Sequence, residues 1–413
     1  LLKIFNGNVP DMFLGIPIEF YFFALILLFV ALFHNHVLKT ALIGLAIVSL
    51  YKIGFAGFKT GSGINGFAGH LIHEWVIITN LLLLLVGFAL LSNHFEKSNV
   101  TEAVSTILPK GWQGAFALLA IIFVLSSFLD NIAAAIIGAT IASKLFQKKV
   151  HIGYLAAIVA ASNAGGSGSV VGDTTTTMMW LAGVPPIEVF HAYIAAIVAL
   201  FVSGYFAAKQ QHAYQPLIVS SKSEHNLDWS RIIIVFVILA TAIVTNVVVN
   251  IKFNHLADYF PFIGASVWVA LFVMVPLRAP DWSVIPGAFK GSIFLLSLVL
   301  TASMMPVEKL PLASWISTFG LGFLSSVFDN IPLTALAIKQ DNYDWGVLAY
   351  AVGYGGSMIW FGSSAGVAVS NLFPEAKSVG RWVKEGWHVT VAYILGFIAI
   401  MLIWGWHPTS ILN

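Results

Sequence analysis

The sequence has no cysteine among its 413 residues, which excludes disulfides, thiolate metal sites and cysteine nucleophiles. Charged residues are also scarce, because they make up 9% of the chain whereas soluble domains carry about 25%. No phosphate-binding Gly-x-x-x-x-Gly-Lys loop is present, so direct coupling to ATP is not expected. The formal net charge is only +2, which gives no electrostatic reason to expect nucleic acid as a partner.

What the sequence has in excess is apolar residues, which make up 59% of the chain. A single soluble core cannot bury a surplus of this size, so we expect the lipid bilayer to be the solvent. Residues 12–33 are aromatic-rich and lack a clear cleavage site, which favours a retained helix over a signal peptide. Apolar runs long enough to cross about 30 Å of hydrocarbon lie at 12–33, 38–58, 76–92, 186–208, 231–251, 262–277, 284–305 and 387–406.

Four further apolar segments are interrupted by Asp, Asn or Gly in their middles: 113–143, 152–183, 313–338 and 346–372. Inside hydrocarbon, a broken backbone persists only where protein or a water-filled cavity satisfies the freed groups. Broken helices at corresponding positions of two halves are typical of transporter binding sites. The pattern predicts an all-α polytopic membrane protein, with 113–143 and 313–338 as re-entrant hairpins and the other two segments as discontinuous helices.

The chain also contains an internal repeat. The heptapeptide at 126–132 recurs in similar form at 325–331, and both copies contain Ser-Ser and Asp-Asn-Ile. Downstream, a Gly-Gly-Ser triplet, four intervening residues and then a glycine occur at 165–172 and again at 355–362. Upstream, a Glu-Lys pair occurs at 96–97 and again at 308–309. Three matching islands in the same order indicate a duplication.

Lysine and arginine collect in cytoplasmic loops, and this rule predicts that the two halves are inverted. The loop after the first Asp-Asn pair carries three lysines, whereas its counterpart carries Lys339 with two aspartates. After the Gly-Gly segments the bias reverses, which places both termini outside. The predicted organisation is N-terminal scaffold helices at 1–58, a first repeat at 59–208, a cytoplasmic linker at 209–230, a second inverted repeat at 231–406 and a tail at 407–413.

An acidic residue inside the bilayer is costly and marks a functional site by default. Asp130, Asp173 and Asp329 lie in apolar stretches beside small or hydroxyl-bearing residues, and we predict that they bind a metal ion, sodium. Removing a carboxylate from water disfavours its charged form, so a proton and a cation can compete for one such site. The alternative is that each aspartate only caps a half-helix.

Neutral oxygen ligands accompany these aspartates. Glycine allows the backbone to approach an ion, although small residues also serve close helix packing. The asparagines beside the hairpin aspartates have tip capping as their alternative role. Besides the three aspartates, the residues predicted to line an ion or substrate site are Asn131, Ser162, Asn163, Gly165, Gly166, Ser167, Thr174, Thr175, Asn330, Gly355, Gly356, Ser357 and Ser363.

Two histidine-containing stretches hint at metal binding but are more typical of loops or interfaces. They contain His34 and His36, and His70 and His73 beside Glu74. The second stretch lacks the His-Glu-x-x-His order of zinc proteases. We expect both stretches to lie in loops.

At its polar motifs the chain resembles the NhaD-type sodium/proton antiporters of the ion transporter superfamily, which also includes citrate, dicarboxylate and arsenite carriers. The similar segments are 129–131, 162–166, 172–180, 328–333 and 355–368. The resemblance implies an inner-membrane homodimer whose subunits have a scaffold and a mobile transport domain that moves like an elevator. It also implies that the two Asp-Asn pairs lie at hairpin tips facing unwound helices. Residues 167–171 depart from the family's Trp-Ser-Pro-Ile-like stretch, which leaves the transported species open.

Three functions were compared on this basis. The first is sodium/proton antiport, the second is sodium-coupled transport of a small carboxylate such as citrate or a dicarboxylate, and the third is a membrane-embedded enzyme or structural protein. No lysine or arginine lies in either tip or Gly-Gly segment to pair with an anion. A like charge at 4 Å costs about 4 kcal/mol at an effective dielectric near 20, which favours a cation. The enzyme hypothesis is the least favoured, because the sequence shows no set of nucleophile, base and metal ligands. We expect no cofactor; sodium and protons are the transported or coupling ions.

Overall fold

The computed structural model describes residues 12–13, 16–33, 36–99, 108–217, 227–253, 256, 259–309 and 312–411. These residues are almost entirely helical, apart from a short antiparallel pair of strands, β1 (Met12–Phe13) and β2 (Ile16–Pro17). The α-helices are α1 (Ile18–Leu32), α2 (Val37–Tyr51), α3 (Gly63–Glu96), α4 (Trp112–Ser126), α5 (Asn131–Leu145), α6 (Ile152–Ser167), α7 (Thr174–Leu181), α8 (Pro186–Phe190), α9 (Ala192–Tyr214), α10 (Trp229–Lys252), α11 (Phe262–Met274), α12 (Ile285–Ser303), α13 (Trp315–Ser325), α14 (Asn330–Gln340), α15 (Trp345–Gly355), α16 (Ser364–Leu372), α17 (Val379–Glu385) and α18 (Trp387–Ile403).

Several helices have the length and apolar character needed to cross a membrane. Within the described part of the chain, these are Val37–Ala56, Gly63–Phe95, Pro186–Tyr214 and Trp282–Ser303. A fifth candidate is α17 with α18, which meet at a bend of 60°. Shorter apolar helices, including α1, α4, α5, α11 and α13, pack beside them. The predicted all-helical, polytopic character of the chain is confirmed.

Each of the four interrupted segments consists of two helices separated by a short break. The breaks lie between α4 and α5, between α6 and α7, between α13 and α14, and between α15 and α16. The polar residues that interrupt these apolar segments therefore lie at or beside a break between two helices. The re-entrant path of the hairpins and the inversion of the two halves stay predictions.

Three details differ from the sequence predictions. First, α1 begins at Ile18, after Pro17, and not at residue 12. Second, the stretch with His70, His73 and Glu74 lies inside the 34-residue helix α3, so its placement in a loop was wrong. Burial explains the difference, because His70 and Glu74 are both buried and have partners on other helices.

Third, the first six residues of the predicted 209–230 linker continue α9. The buried Gln211 explains the longer helix, since its side chain accepts from the backbone N–H of His151 and donates to the carbonyl of Lys149. Residues 218–226 of that linker, residues 1–11 of the predicted scaffold segment and His34 lie outside the described residues.

The helices pack as two groups. We call α1–α3 and α10–α12 the framework group, because α3 packs on α10, α11 and α12, and α2 packs on α1 and α12. We call α4–α9 and α13–α18 the core group, in which α9 packs on α4, α6, α15 and α18. The two groups meet mainly where α12 packs on α14 and where α3 packs on α7.

Within the core group, corresponding helices make corresponding contacts. Helix α4 packs on α6, and its counterpart α13 packs on α15. The second arm of each hairpin packs on the second half of the other broken helix, α5 on α16 and α14 on α7. The two hairpin tips and the two breaks are thereby brought to the same region of the molecule.

Candidate functional site

The two hairpin tips have the same local structure. Asp130 precedes α5, and one of its carboxylate oxygens, Oδ1, accepts from the backbone N–H of Ile132 at 2.7 Å. Asp329 precedes α14 and accepts in the same way from Ile331 at 3.0 Å. Both aspartates therefore do cap half-helices, as the alternative reading held. Capping uses one oxygen of each carboxylate, so it does not exclude a second role.

The second carboxylate oxygens of Asp173 and Asp329 each accept a further side-chain hydrogen bond. Asp173 caps α7 through the N–H of Thr175 at 3.0 Å, and its Oδ2 accepts from the side-chain amide of Asn131 at 3.1 Å. Oδ2 of Asp329 accepts from the hydroxyl of Ser364 at 3.2 Å. Each of these bonds joins a hairpin tip to the break of a discontinuous helix.

Asn163 connects the two halves of the chain. Its side-chain oxygen accepts from Asn131 at 3.0 Å, and its side-chain nitrogen donates to Ser357 at 2.9 Å and to Ser363 at 3.1 Å. Ser363 in turn caps α16 by accepting from the N–H of Gly366. Asn163 and its three partners are all buried, so each bond is made away from water.

The paired glycines hold backbones together at the breaks. A Cβ at Gly165 would lie 2.0 Å from the carbonyl oxygen of Phe123, and a Cβ at its counterpart Gly355 would lie 2.3 Å from that of Gly322. No side chain fits at these distances. Gly166 and Gly356 approach the two later glycines of their motifs, Gly172 and Gly362, with oxygen atoms 2.7 Å from a built Cβ. The packing role of these glycines is therefore evident, while direct approach to an ion stays a prediction.

The four threonines after Asp173 make different contacts. The hydroxyls of Thr176 and Thr177 donate to the carbonyls of Ser169 and Val170, which lie in the break. Thr174 lines a cavity. The hydroxyl of Thr175 is fully buried and has no hydrogen-bond partner among the described residues. A buried hydroxyl beside a carboxylate can serve as an additional oxygen ligand.

A cavity of about 170 Å³ lies between the two groups of helices. From the core group, both hairpin tips and both breaks line it, and from the framework group α3 and α12 close it. None of the lining residues is basic. They are Leu85, Ala89, Asp130, Asn131, Ile132, Asp173, Thr174, Ala288, Gly291, Ser292, Leu295, Asn330, Ile331 and Ser364.

Asp329 faces a neighbouring cavity of about 220 Å³, which is lined mainly by apolar residues such as Val30, Phe294 and Phe361. Ser364 lines both cavities. Asp130 and Asp173 thus face the first cavity. Asp329 faces the second cavity and is connected to the first by its hydrogen bond with Ser364, which lines both. Among the described residues, no group of three or more His, Asp or Glu side chains could hold a metal ion, so any ion here needs neutral oxygens as well.

Several predicted residues lie behind the cavity and not on its wall. The hydroxyls of Ser162 and Ser167 donate to carbonyls of their own helix, and Ser162 also accepts, through its carbonyl, from Ser126. Ser357 holds Asn163. Gly165, Gly166, Gly355 and Gly356 pack backbones, as described above. These residues shape the site, whereas Asp130, Asn131, Asp173, Thr174 and Asn330 line it.

Two parts of the cavity lining were not among the predicted site residues. These are Ser364 and the residues of α3 and α12 from the framework group. The only sequence signal for the framework side is the spacing of Ala288, Gly291 and Ser292, which places three small residues on one face of α12. Ser364 follows Ser363 and is the counterpart of Thr174, so the internal repeat could have identified it.

Apolar helices whose polar breaks surround a cavity are typical of membrane transporters. In agreement, the sequence profile of the citrate transporter family matches residues 23–355, and the chain belongs to this family. Its members are transporters and not enzymes.

Individual relatives carry antiporter names. Sodium/proton antiporter 1 of Arabidopsis thaliana is 25% identical over 349 residues, which cover 73% of this chain but only 58% of that protein. The Na(+)/H(+) antiporter NhaD of Vibrio parahaemolyticus is 25% identical over 348 residues, which cover 72% of this chain and 83% of that protein. NhaD of Halomonas elongata is 22% identical over 384 residues, which cover 78% and 74% respectively. The resemblance inferred from the motifs is confirmed. The names of these relatives refer to the transport of sodium and protons and mention no cofactor.

Proposed function

We propose that this chain is a sodium/proton antiporter in which the cavity beside Asp130 and Asp173 holds either a sodium ion or protons. The observation that carries the proposal is the lining of this cavity, which has two carboxylates, amide and hydroxyl oxygens and no basic side chain. Oxygen ligands of this kind suit hard cations. The names of the relatives support the same assignment.

Competition for one site couples the two ions. Sodium stabilises the charged carboxylates, whereas protons neutralise them, so the two cannot both be fully bound. Asn131 holds Asp173 in place in either state, because its amide donates to Oδ2. Asn163 supports Asn131 and is itself bonded to Ser357 and Ser363 of the other half of the chain. The remaining predicted site residues act through this frame.

Movement across the membrane would proceed as an elevator. The core group carries the hairpins and the breaks, and the framework group presents mainly apolar and small side chains to the cavity. A smooth framework wall allows the core group to slide with its ion. The corresponding contacts of α5 with α16 and α14 with α7 support an inverted repeat. We further propose that the protein is a homodimer in the inner (cell) membrane and that the framework group is its scaffold.

The family description favours a second candidate, sodium-coupled transport of a small carboxylate such as citrate. Such a substrate would bring negative charge to a cavity that already contains two aspartates. At an effective dielectric near 20, each like-charge contact at 4 Å costs about 4 kcal/mol. Bound cations would have to offset this repulsion, so cation exchange is the better-supported function.

Flux into proteoliposomes distinguishes the two candidates. The purified chain is reconstituted with a pH-sensitive dye inside, and sodium, lithium, potassium, citrate or succinate is added outside. Antiport predicts that sodium alone moves protons and that neither carboxylate changes the rate. Uptake of citrate or succinate that requires sodium, without proton counterflow, would overturn the proposal in favour of the second candidate.

A further inference from the structure

One end of the cavity region contains charged residues that the proposed ion site does not use. Glu74 lies in α3 and is buried, and its carboxylate accepts from the ammonium group of Lys339 at 2.5 Å. Lys339 lies in the last turn of α14. The side chain of Glu74 is 4% exposed and that of Lys339 is 26% exposed, so the acid depends on this partner more than the base does.

The position of this ion pair follows from three helices. Along α3, Glu74 lies 11 residues before the cavity-lining Leu85, which corresponds to about 16 Å of helix. Along α14, Lys339 lies nine residues after the cavity-lining Asn330, or about 13 Å. Helix α12 runs the same way, from Leu295 at the cavity to Ser303, whose hydroxyl contacts His70 at 2.9 Å. The pair therefore lies toward one end of the helix bundle, away from the cavity.

The pair also joins two bodies that the proposed function requires to separate. Lys97 and Asp281, which form another pair at 2.5 Å, both belong to the framework group, as do Glu19 and Lys52. The ion pair between Arg381 and Glu385 lies within the core group. Glu74 and Lys339, by contrast, come from the framework and the core group respectively.

The end of α14 is firmly part of the core group. Asp341, directly after α14, accepts from the hydroxyl of Ser410 and from the N–H of Ile411. Trp345 donates to the carbonyl of Thr409 at 3.0 Å. Lys339 therefore moves with α15 and the C-terminal tail, while Glu74 stays with α3.

We propose that the Glu74–Lys339 ion pair is a latch that holds the core group against the framework group in this conformation. The inference rests on the proposed alternating movement. For the cavity to reach the other end, α14 must leave α3, and the buried carboxylate of Glu74 then loses its partner. Because an unpaired buried charge is costly, the pair biases the protein toward the conformation described here.

Thiol labelling tests the latch in the intact chain, because the 413 residues contain no cysteine. The reporter is Ala302→Cys on α12, a fully buried position in the cluster that includes Ile331 and Ala335 of α14. Labelling of this position by a maleimide reports exposure of the cluster, which we expect when α14 separates from α12. A second reporter, Ser62→Cys, lies at an exposed position before α3 and monitors general reactivity.

Loss of the latch should accelerate labelling of the Ala302→Cys reporter. Conformational coupling of ordinary strength predicts an increase of at least about fivefold for Glu74→Gln, and a similar or larger one for Lys339→Met. The effect of the double variant should be close to that of a single variant and clearly smaller than the product of the two, because the same interaction is lost in all three. The matched control is Lys97→Met with Asp281→Asn, which removes a pair inside the framework group and should leave labelling unchanged.

The outcomes separate the latch from the proposed function. Unchanged labelling in both single variants, with intact sodium/proton exchange, would overturn the latch and leave the antiporter proposal standing. An equal increase in labelling at Ser62→Cys would indicate a change in general thiol reactivity and would also count against the latch. Absence of sodium/proton exchange in the unsubstituted chain would overturn the proposed function, while faster labelling of Ala302→Cys would still support the latch.

Discussion

Replacement of Asp173 by asparagine separates the two roles that this residue combines. The carboxylate caps α7 through Thr175 and holds Asn131 through its second oxygen, and it is buried at the cavity wall. Asparagine has the same shape and is an equally good N-cap. Asp173→Asn should therefore keep the fold while it removes the charge that the cavity offers to a cation.

The magnitude follows from Coulomb's law. A sodium ion 4 Å from a carboxylate gains about 4 kcal/mol at an effective dielectric near 20. At about 1.4 kcal/mol per factor of ten, the full charge accounts for up to roughly a thousandfold in affinity. Because asparagine retains an oxygen ligand, we expect Asp173→Asn to weaken sodium binding by at least about a hundredfold.

Isothermal titration of sodium into purified protein measures this loss. The matched control is Asp281→Asn, which makes the same chemical change in an exposed loop between α11 and α12 and should leave the sodium affinity unchanged. Thermal unfolding of both variants checks the fold. If Asp173→Asn bound sodium within threefold of the unsubstituted protein, Asp173 would be a helix cap and nothing more.

Three further predictions concern packing, positioning and pH. Gly165→Ala should destabilise the protein by about 1–3 kcal/mol, because it forces a methyl group onto a backbone carbonyl, whereas Gly287→Ala, with open space around it, should not; chemical denaturation compares the two. Asn163→Ala should weaken sodium binding by about tenfold, measured by calorimetry, since Asn131 loses a buried hydrogen bond that supports it. The ammonium group of Lys97 and nearby Ser283 groups lower the pKa of Asp281 from 3.8 to about 2. The stabilisation is therefore present above the ordinary pKa and is lost as pH falls toward 2, so the stability of Asp281→Asn should converge on that of the unsubstituted protein over this window. Unfolding curves that differ equally at all pH values would contradict that assignment.

The sequence was sufficient to locate the breaks in the helices, and the physical reason is simple. Asp130 and Asp329 interrupt apolar segments, and a polar residue in such a place requires a local structure that satisfies it. The half-helices therefore begin immediately after these aspartates. The internal repeat also identified which breaks correspond to each other.

The partners across the site could not be predicted in the same way. Asn163 bonds Ser357 and Ser363, which are 194 and 200 residues away, and only tertiary packing brings them together. The framework wall was equally hidden, because α12 is a plain apolar helix in the sequence. The charged end of α3 was mistaken for a loop, since Glu74 has no visible partner until α14 supplies Lys339.

The central claim is that one cavity beside Asp130 and Asp173 binds either sodium or protons. The most direct measurement is proton release by purified, weakly buffered protein on addition of sodium, between about pH 6 and 9, the range that desolvated carboxylates can reach. The account predicts release of protons in the unsubstituted protein and none in a variant with both Asp130→Asn and Asp173→Asn. Sodium binding that releases no protons anywhere in this range, or release that persists in the double variant, would contradict it.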